Sequence, residues 1–107
     1  MNTKPRIKLP ETIKAGDVIE VRTLISHIME TGNRKDKNGY PIPRNIIHTF
    51  VANFAGKEVF RAELNSGISA NPFIAFNLRV DGPGDLELTW TDDSGARTVE
   101  RLPLAVS

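Results

Sequence analysis

Apolar residues recur at every second position along nearly the whole chain, and Gly, Pro, Asn and Asp break the pattern every few residues. Period two is the repeat of a β-strand with one buried face. No segment carries the repeat of an amphipathic helix. Leu86, Leu88 and Trp90, alternating with Glu87, Thr89 and Thr91, form the clearest half-buried strand. Similar runs predict strands at Pro5 to Leu9, Asp17 to Ser26, Asn45 to Phe54 and Lys57 to Leu64. Another follows Pro72, with Ile74, Phe76, Leu78 and Val80 inward, and the last runs from Ala96 to Val106. Ile19, Val21 and Ile25 share one face of the second strand. In the third, Ile46, Phe50, Ala52 and Phe54 alternate with Ile47, Thr49, Val51 and Asn53, so both faces are fairly apolar. Ala55-Gly56 turns that strand into a hairpin with the next. Val99 falls out of phase with Leu102, Leu104 and Val106, which predicts a bulge near Arg101.

About seven short antiparallel strands with turns at close spacing read as an immunoglobulin-like β-sandwich, with an open barrel as the structural alternative. A chain of 107 residues is the size of one compact unit, so residues 1–107 are expected to form a single domain. There is no cysteine, which removes disulfides, thiolate metal sites and cysteine nucleophiles at once. The N-terminus MNTKPRIKLPE lacks the apolar run of a secretory signal, and no apolar stretch is long enough to span a bilayer. A soluble protein, cytoplasmic or already processed, is therefore expected. Residues 1–80 hold twelve Lys or Arg against seven Asp or Glu, whereas residues 81–107 hold two against six. Such a split can orient a partner, but it lacks the basic excess and interleaved aromatics of a nucleic-acid binder.

Catalytic patterns are missing. No Gly-x-Ser-x-Gly elbow is present, and Asp92-Asp93 sits in DDSG, which is ordinary turn chemistry. The glycine-rich segment Asp81 to Gly84 joins two strands, whereas a phosphate-binding loop must open a helix. His27 and Met29 fall short of a metal ligand set, and His48 shares a parity face with Phe50 as a half-buried histidine would. Trp90 belongs to the core by its parity with Leu86 and Leu88.

What remains is the long inter-strand loop within SHIMETGNRKDKNGYPIPRNII, Ser26 to Ile47. Loops of this length in compact domains are usually functional or disordered. Asp36-Lys37-Asn38-Gly39 reads as a tight turn at the tip of an extension. His27, Met29, Glu30, Arg34, Tyr40 and Arg44 make the loop a candidate docking element, since Met, Tyr and Arg are enriched at interfaces. The following two-sided strand adds Ile47, Thr49 and Val51 as a candidate partner face.

The same residues resemble the SoxZ family of the sulfur-oxidation (Sox) system. Ser26-His27, Met29-Glu30-Thr31-Gly32, Arg34-Lys35-Asp36, Ile42-Pro43-Arg44, Ala70-Asn71-Pro72 and Trp90-Thr91-Asp92-Asp93 fall in order at the family's spacing. The likeness extends from Pro5 to the C-terminus, and Ile28 departs from a proline frequent in the family. The resemblance implies an immunoglobulin-like, non-catalytic subunit without cofactor or metal. Its partner would be SoxY, which carries sulfur intermediates of thiosulfate oxidation on a cysteine in a flexible arm. Transient contacts with other Sox enzymes, and no nucleic acid or membrane, are implied as well. So is a periplasmic location, reached by export together with a signal-bearing partner. The resemblance also leaves the loop's Arg and Lys to attract anionic sulfur species on that arm. A generic sandwich-type binding or adhesion module without a sulfur role is the alternative that composition alone permits.

Overall fold

In the computed structural model, residues 5–25, 35–42, 45–64 and 73–106 are described. They form seven strands: β1 (Arg6–Lys8), β2 (Asp17–Leu24), β3 (Ile47–Phe54), β4 (Lys57–Glu63), β5 (Phe73–Val80), β6 (Gly84–Asp92) and β7 (Arg97–Leu104). The described residues contain no helix. Two antiparallel sheets result, ordered β1-β2-β5 and β4-β3-β6-β7. This is the immunoglobulin-like sandwich that the alternation predicts.

Each sheet buries the face that its period-two pattern marks out. From β2 and β5 come Ile19, Val21, Ile74, Phe76, Leu78 and Val80, and from β6 come Leu86, Leu88 and Trp90. Fully burying a side chain such as Leu86 or Leu88 stabilises the fold by about 1.5–3 kcal/mol. Phe50 lies at the centre, its ring 5.0 Å from Trp90, 6.0 Å from Phe76 and 6.1 Å from Phe60. Phe60 of β4 stacks on Phe76 of β5 at 4.9 Å, closing one side of the sandwich across the two sheets. The one hydroxyl carried inward by β2, that of Thr23, donates to the carbonyl of Ile74 at 2.9 Å. Burial without that bond would be costly.

The hairpin at Ala55-Gly56 is present, with both residues at positive φ (52° and 80°). That pair of signs defines the turn whose twist matches two antiparallel strands. Two expectations need correction. The ladder between β6 and β7 runs without interruption from Gly84↔Leu104 to Thr91↔Arg97, so no bulge lies near Arg101. Val99 is out of phase because it points outward, 49% exposed, between Arg97 and Arg101 on the outer face. The irregularities fall in β3 instead, between Ile47 and Thr49 against β6 and between Ala52 and Asn53 against β4. The first inserts His48 as an extra residue and turns Ile47 inward. Ile47 therefore enters the core beside Phe50 and does not share an outer face with Thr49 and Val51.

Candidate functional site: a docking surface

One short link fixes where the long connections lie. Only Asp81, Gly82 and Pro83 separate the end of β5 in one sheet from the start of β6 in the other. Each residue spans at most about 3.6 Å, so those two strand ends must share one end of the sandwich. The start of β5 and the end of β6 consequently share the opposite end. Pairing brings the end of β2 there (Leu24↔Phe73), with the starts of β3 (Ile47↔Asp92) and β7 (Thr91↔Arg97) and the end of β4 (Thr49↔Glu63). The β2–β3 and β4–β5 connections and the 93–96 turn thus leave and re-enter the sandwich at one end. Every motif of the SoxZ resemblance is in these segments or at the adjoining tip of β6.

The described parts of this end are held by carboxylates. The Asp92 side chain is 3% exposed, and its Oδ1 accepts from the backbone N–H groups of Ser94 and Ala96, both at 3.0 Å, and from the Ser94 hydroxyl. Asp93 ties the turn to the incoming chain: its N–H donates to the Ile46 carbonyl at 3.0 Å, and its Oδ2 accepts from the Ile46 N–H at 3.2 Å. The DDSG segment is therefore a turn lock. Residues 35–41 form a small hairpin tip, with a bridge between Lys35 and Pro41 and the Asp36 N–H donating to the Tyr40 carbonyl at 2.8 Å. Asp36 Oδ1 accepts from the N–H groups of Asn38 (2.8 Å) and Tyr40 (3.0 Å), and Gly39 takes the positive φ of 84° that the turn requires. Tyr40 is held 68% exposed on this ordered tip.

The second surface is the outer face of the four-stranded sheet. Register places Glu63, Thr49, Thr91 and Arg97 in one row across it, and Arg61, Val51, Thr89 and Val99 in the next. Its middle is a neutral strip of β-branched residues: Thr49, Val51, Thr89, Thr91 and Val99. Charged clasps rim the strip on both sides. Arg61 donates to Glu58 at 2.9 Å and reaches Glu63 at 3.5 Å; Arg101 donates through Nε to Glu87 at 3.2 Å. The hydrogen bond to Glu58, reinforced by that carboxylate's charge, raises the Arg61 guanidinium above its ordinary value, and Glu87 does the same for Arg101. A neutral centre with a charged rim is the usual anatomy of a protein–protein contact.

His48 stands at the margin of this face. Its Nδ1 lies 2.6 Å from the Thr49 hydroxyl, which donates its single proton to Glu63 Oε2 at 3.0 Å. The hydroxyl can only accept from the ring, so Nδ1 carries the hydrogen. The arrangement is a satisfied half-buried histidine, whose hydroxyl neighbour gives its proton to Glu63. Among the described residues, no group of three metal-ligating side chains comes together.

Of the sequence-predicted site residues, Thr49 and Val51 lie side by side on the neutral strip, Tyr40 is on the loop tip, and Ile47 is in the core. His27, Met29, Glu30, Arg34 and Arg44 lie outside the described residues. Sequence reasoning passes over Thr89, Thr91 and Val99 as partners of Val51 on this face. The signal is there: Thr89 and Thr91 alternate with buried neighbours, and Val99 is an apolar residue on the wrong parity for the core.

A family model described as sulphur oxidation protein SoxZ matches residues 7–103. The chain belongs to the SoxZ family. It is accordingly a subunit of the sulfur-oxidation system. Among curated proteins there is no match. Among solved structures, this SoxZ chain is similar to superoxide reductase (neelaredoxin) from Ignicoccus hospitalis. A singly substituted form of that enzyme gives a TM-score of 0.74 at 20% identity, covering 97% of this chain and 80% of that one. The form without a stated substitution gives 0.71 at 20% identity with the same coverage. A candidate superoxide reductase from Thermotoga maritima gives 0.67 at 16% identity, covering 96% of this chain and 85% of that one. Identities this low establish a shared sandwich and nothing about activity.

Proposed function

We propose that this SoxZ chain is the non-catalytic member of a heterodimer with a SoxY-type sulfur carrier in thiosulfate oxidation. Membership of the family across residues 7–103 carries the reading. Absence of cysteine agrees with it, since the covalent carrier must then be the other subunit. The neutral strip of Thr49, Val51, Thr89, Thr91 and Val99 is the face offered to SoxY. A stable contact of standard size buries about 800 Å² per partner, more than the strip alone supplies. The ordered tip with Tyr40 and the end that bears the long connections complete the surface and meet the enzymes that act on the carried sulfur. The periplasm is the compartment this reading implies.

Light scattering of the purified chain mixed with a SoxY-type protein tests the proposal. A one-to-one complex is expected at micromolar concentration. Val51→Arg, placed at the centre of the strip beside Arg61, should weaken it by about thirtyfold or more, the loss typical of a central contact residue. No complex between two folded wild-type proteins would overturn the pairing. Unchanged affinity of Val51→Arg would move the interface to the loop-bearing end.

A further inference from the structure

The four outer strands of the two sheets are not alike. Sheet edges present unpaired backbone groups, and proteins normally blunt them with short strands, proline, bulges or charge. Strand β1 is three residues long, with Pro5 before it and Pro10 after it. Strand β4 carries Lys57, Glu58, Arg61 and Glu63, and its pairing with β3 has a register shift. Strand β7 contains Pro103, Arg97, Arg101 and the partly inward-facing Glu100. Of these devices strand β5 has a single charge alone. Phe73–Val80 is eight residues in strict alternation, without proline, with Arg79 as its one charge. Among the described residues β2 pairs with one side of it and nothing with the other.

The free side of β5 also has the correct backbone parity for pairing. The Val80 carbonyl accepts from the Gly16 N–H at 2.7 Å, and the Ile74 carbonyl accepts from Thr23 of β2. Residues 74, 76, 78 and 80 thus direct their backbone groups toward β2. Residues 73, 75, 77 and 79 direct theirs to the open side.

We infer that the open edge of β5 is a self-association site, where a second copy of the chain adds its own β5 antiparallel about a two-fold axis at Phe76. In that register Phe73 faces Arg79 of the second copy, Ala75 faces Asn77, Ile74 faces Leu78, and Phe76 faces itself. Every pair keeps outer residues with outer and core residues with core, as antiparallel pairing demands. The pairs 73/79 and 75/77 are those that exchange backbone hydrogen bonds. No like charges oppose one another, and Phe73, 61% exposed in the single chain, gains a guanidinium over or beside its ring. The two three-stranded sheets become one continuous sheet of six. The contact is small, which places the dimer in the weak class of interfaces.

Sedimentation velocity of the purified chain from about 1 µM to about 1 mM tests this. Concentration-dependent dimerisation is expected. Ala75→Glu with Asn77→Glu sets glutamates opposite one another twice and should leave a folded monomer, verified by the near-ultraviolet signal of buried Trp90. Ala75→Glu with Asn77→Lys turns both contacts into ion pairs in this register and should restore the dimer. Such rescue fails in the neighbouring register two residues along, where residue 77 meets itself. A wild-type monomer throughout, or a dimer untouched by the glutamate pair, overturns the inference. Loss of a complex with a SoxY-type partner in the glutamate pair, without wild-type self-association, also overturns it by assigning the edge to that partner.

Discussion

Three buried polar atoms, Asn45 Oδ1, Trp90 Nε1 and Thr98 Oγ1, have no hydrogen-bond partner among the described residues. Trp90 and Thr98 are direct cross-strand neighbours, and Asn45 lies two residues before β3, so all three are toward the loop-bearing end. An unmade hydrogen bond on a buried hydroxyl costs about 1–3 kcal/mol. Thr98→Val keeps the shape and removes the orphan. It should stabilise the chain by about 1 kcal/mol, read in thermal unfolding as a rise of about 4–8 °C. A fall would mean that the hydroxyl is satisfied by solvent. The same residues show the limit of parity reading: alternation identifies Trp90 as core, but says nothing about whether its N–H finds an acceptor, which depends on what the opposite sheet brings.

Elements are legible where alternation is unbroken. β2, β5 and β6 read directly, because Ile19, Val21, Phe76, Leu78, Leu86 and Leu88 keep one phase from end to end. The start of β3 misleads, since a one-residue insertion at His48 costs little in composition and inverts the facing of Ile47. β7 misleads for the opposite reason: Val99 imitates a phase slip while the backbone stays regular. The docking strip is half legible, as Thr49 and Val51 follow from β3 alone, but Thr89, Thr91 and Val99 join them only once strand order is known. The β3–β4 hairpin carries its own test. Ala55 adopts the left-handed region at φ 52°, which costs a residue with a Cβ about 1–2 kcal/mol. Asn tolerates that region and suits this turn. Ala55→Asn should therefore raise stability by about 1 kcal/mol in urea unfolding, with an unchanged denaturant slope.

At the scale of the whole molecule, one sandwich serves proteins with unrelated chemistry. The superoxide reductases from Ignicoccus hospitalis share this frame at 20% identity. What separates them must lie in what the frame displays, and here the display is polarised: the β2–β3 and β4–β5 connections at one end, the 55–56 and 81–83 turns with the 9–16 connection at the other. That polarity, with the absence of cysteine, makes the molecule easy to hold by a chosen end. A thiol introduced as Gly82→Cys would be the only one in the chain, at a position where a Cβ meets nothing within 4 Å and the backbone needs no glycine. Tethered there to a sensor surface, the protein would present its loop-bearing end to solution. Tethered instead through Asn38→Cys at the loop tip, it would present the tight turns. A partner that docks on the long connections should be captured in the first orientation and excluded in the second. Orientation on a solid support would then report which pole of the molecule is read.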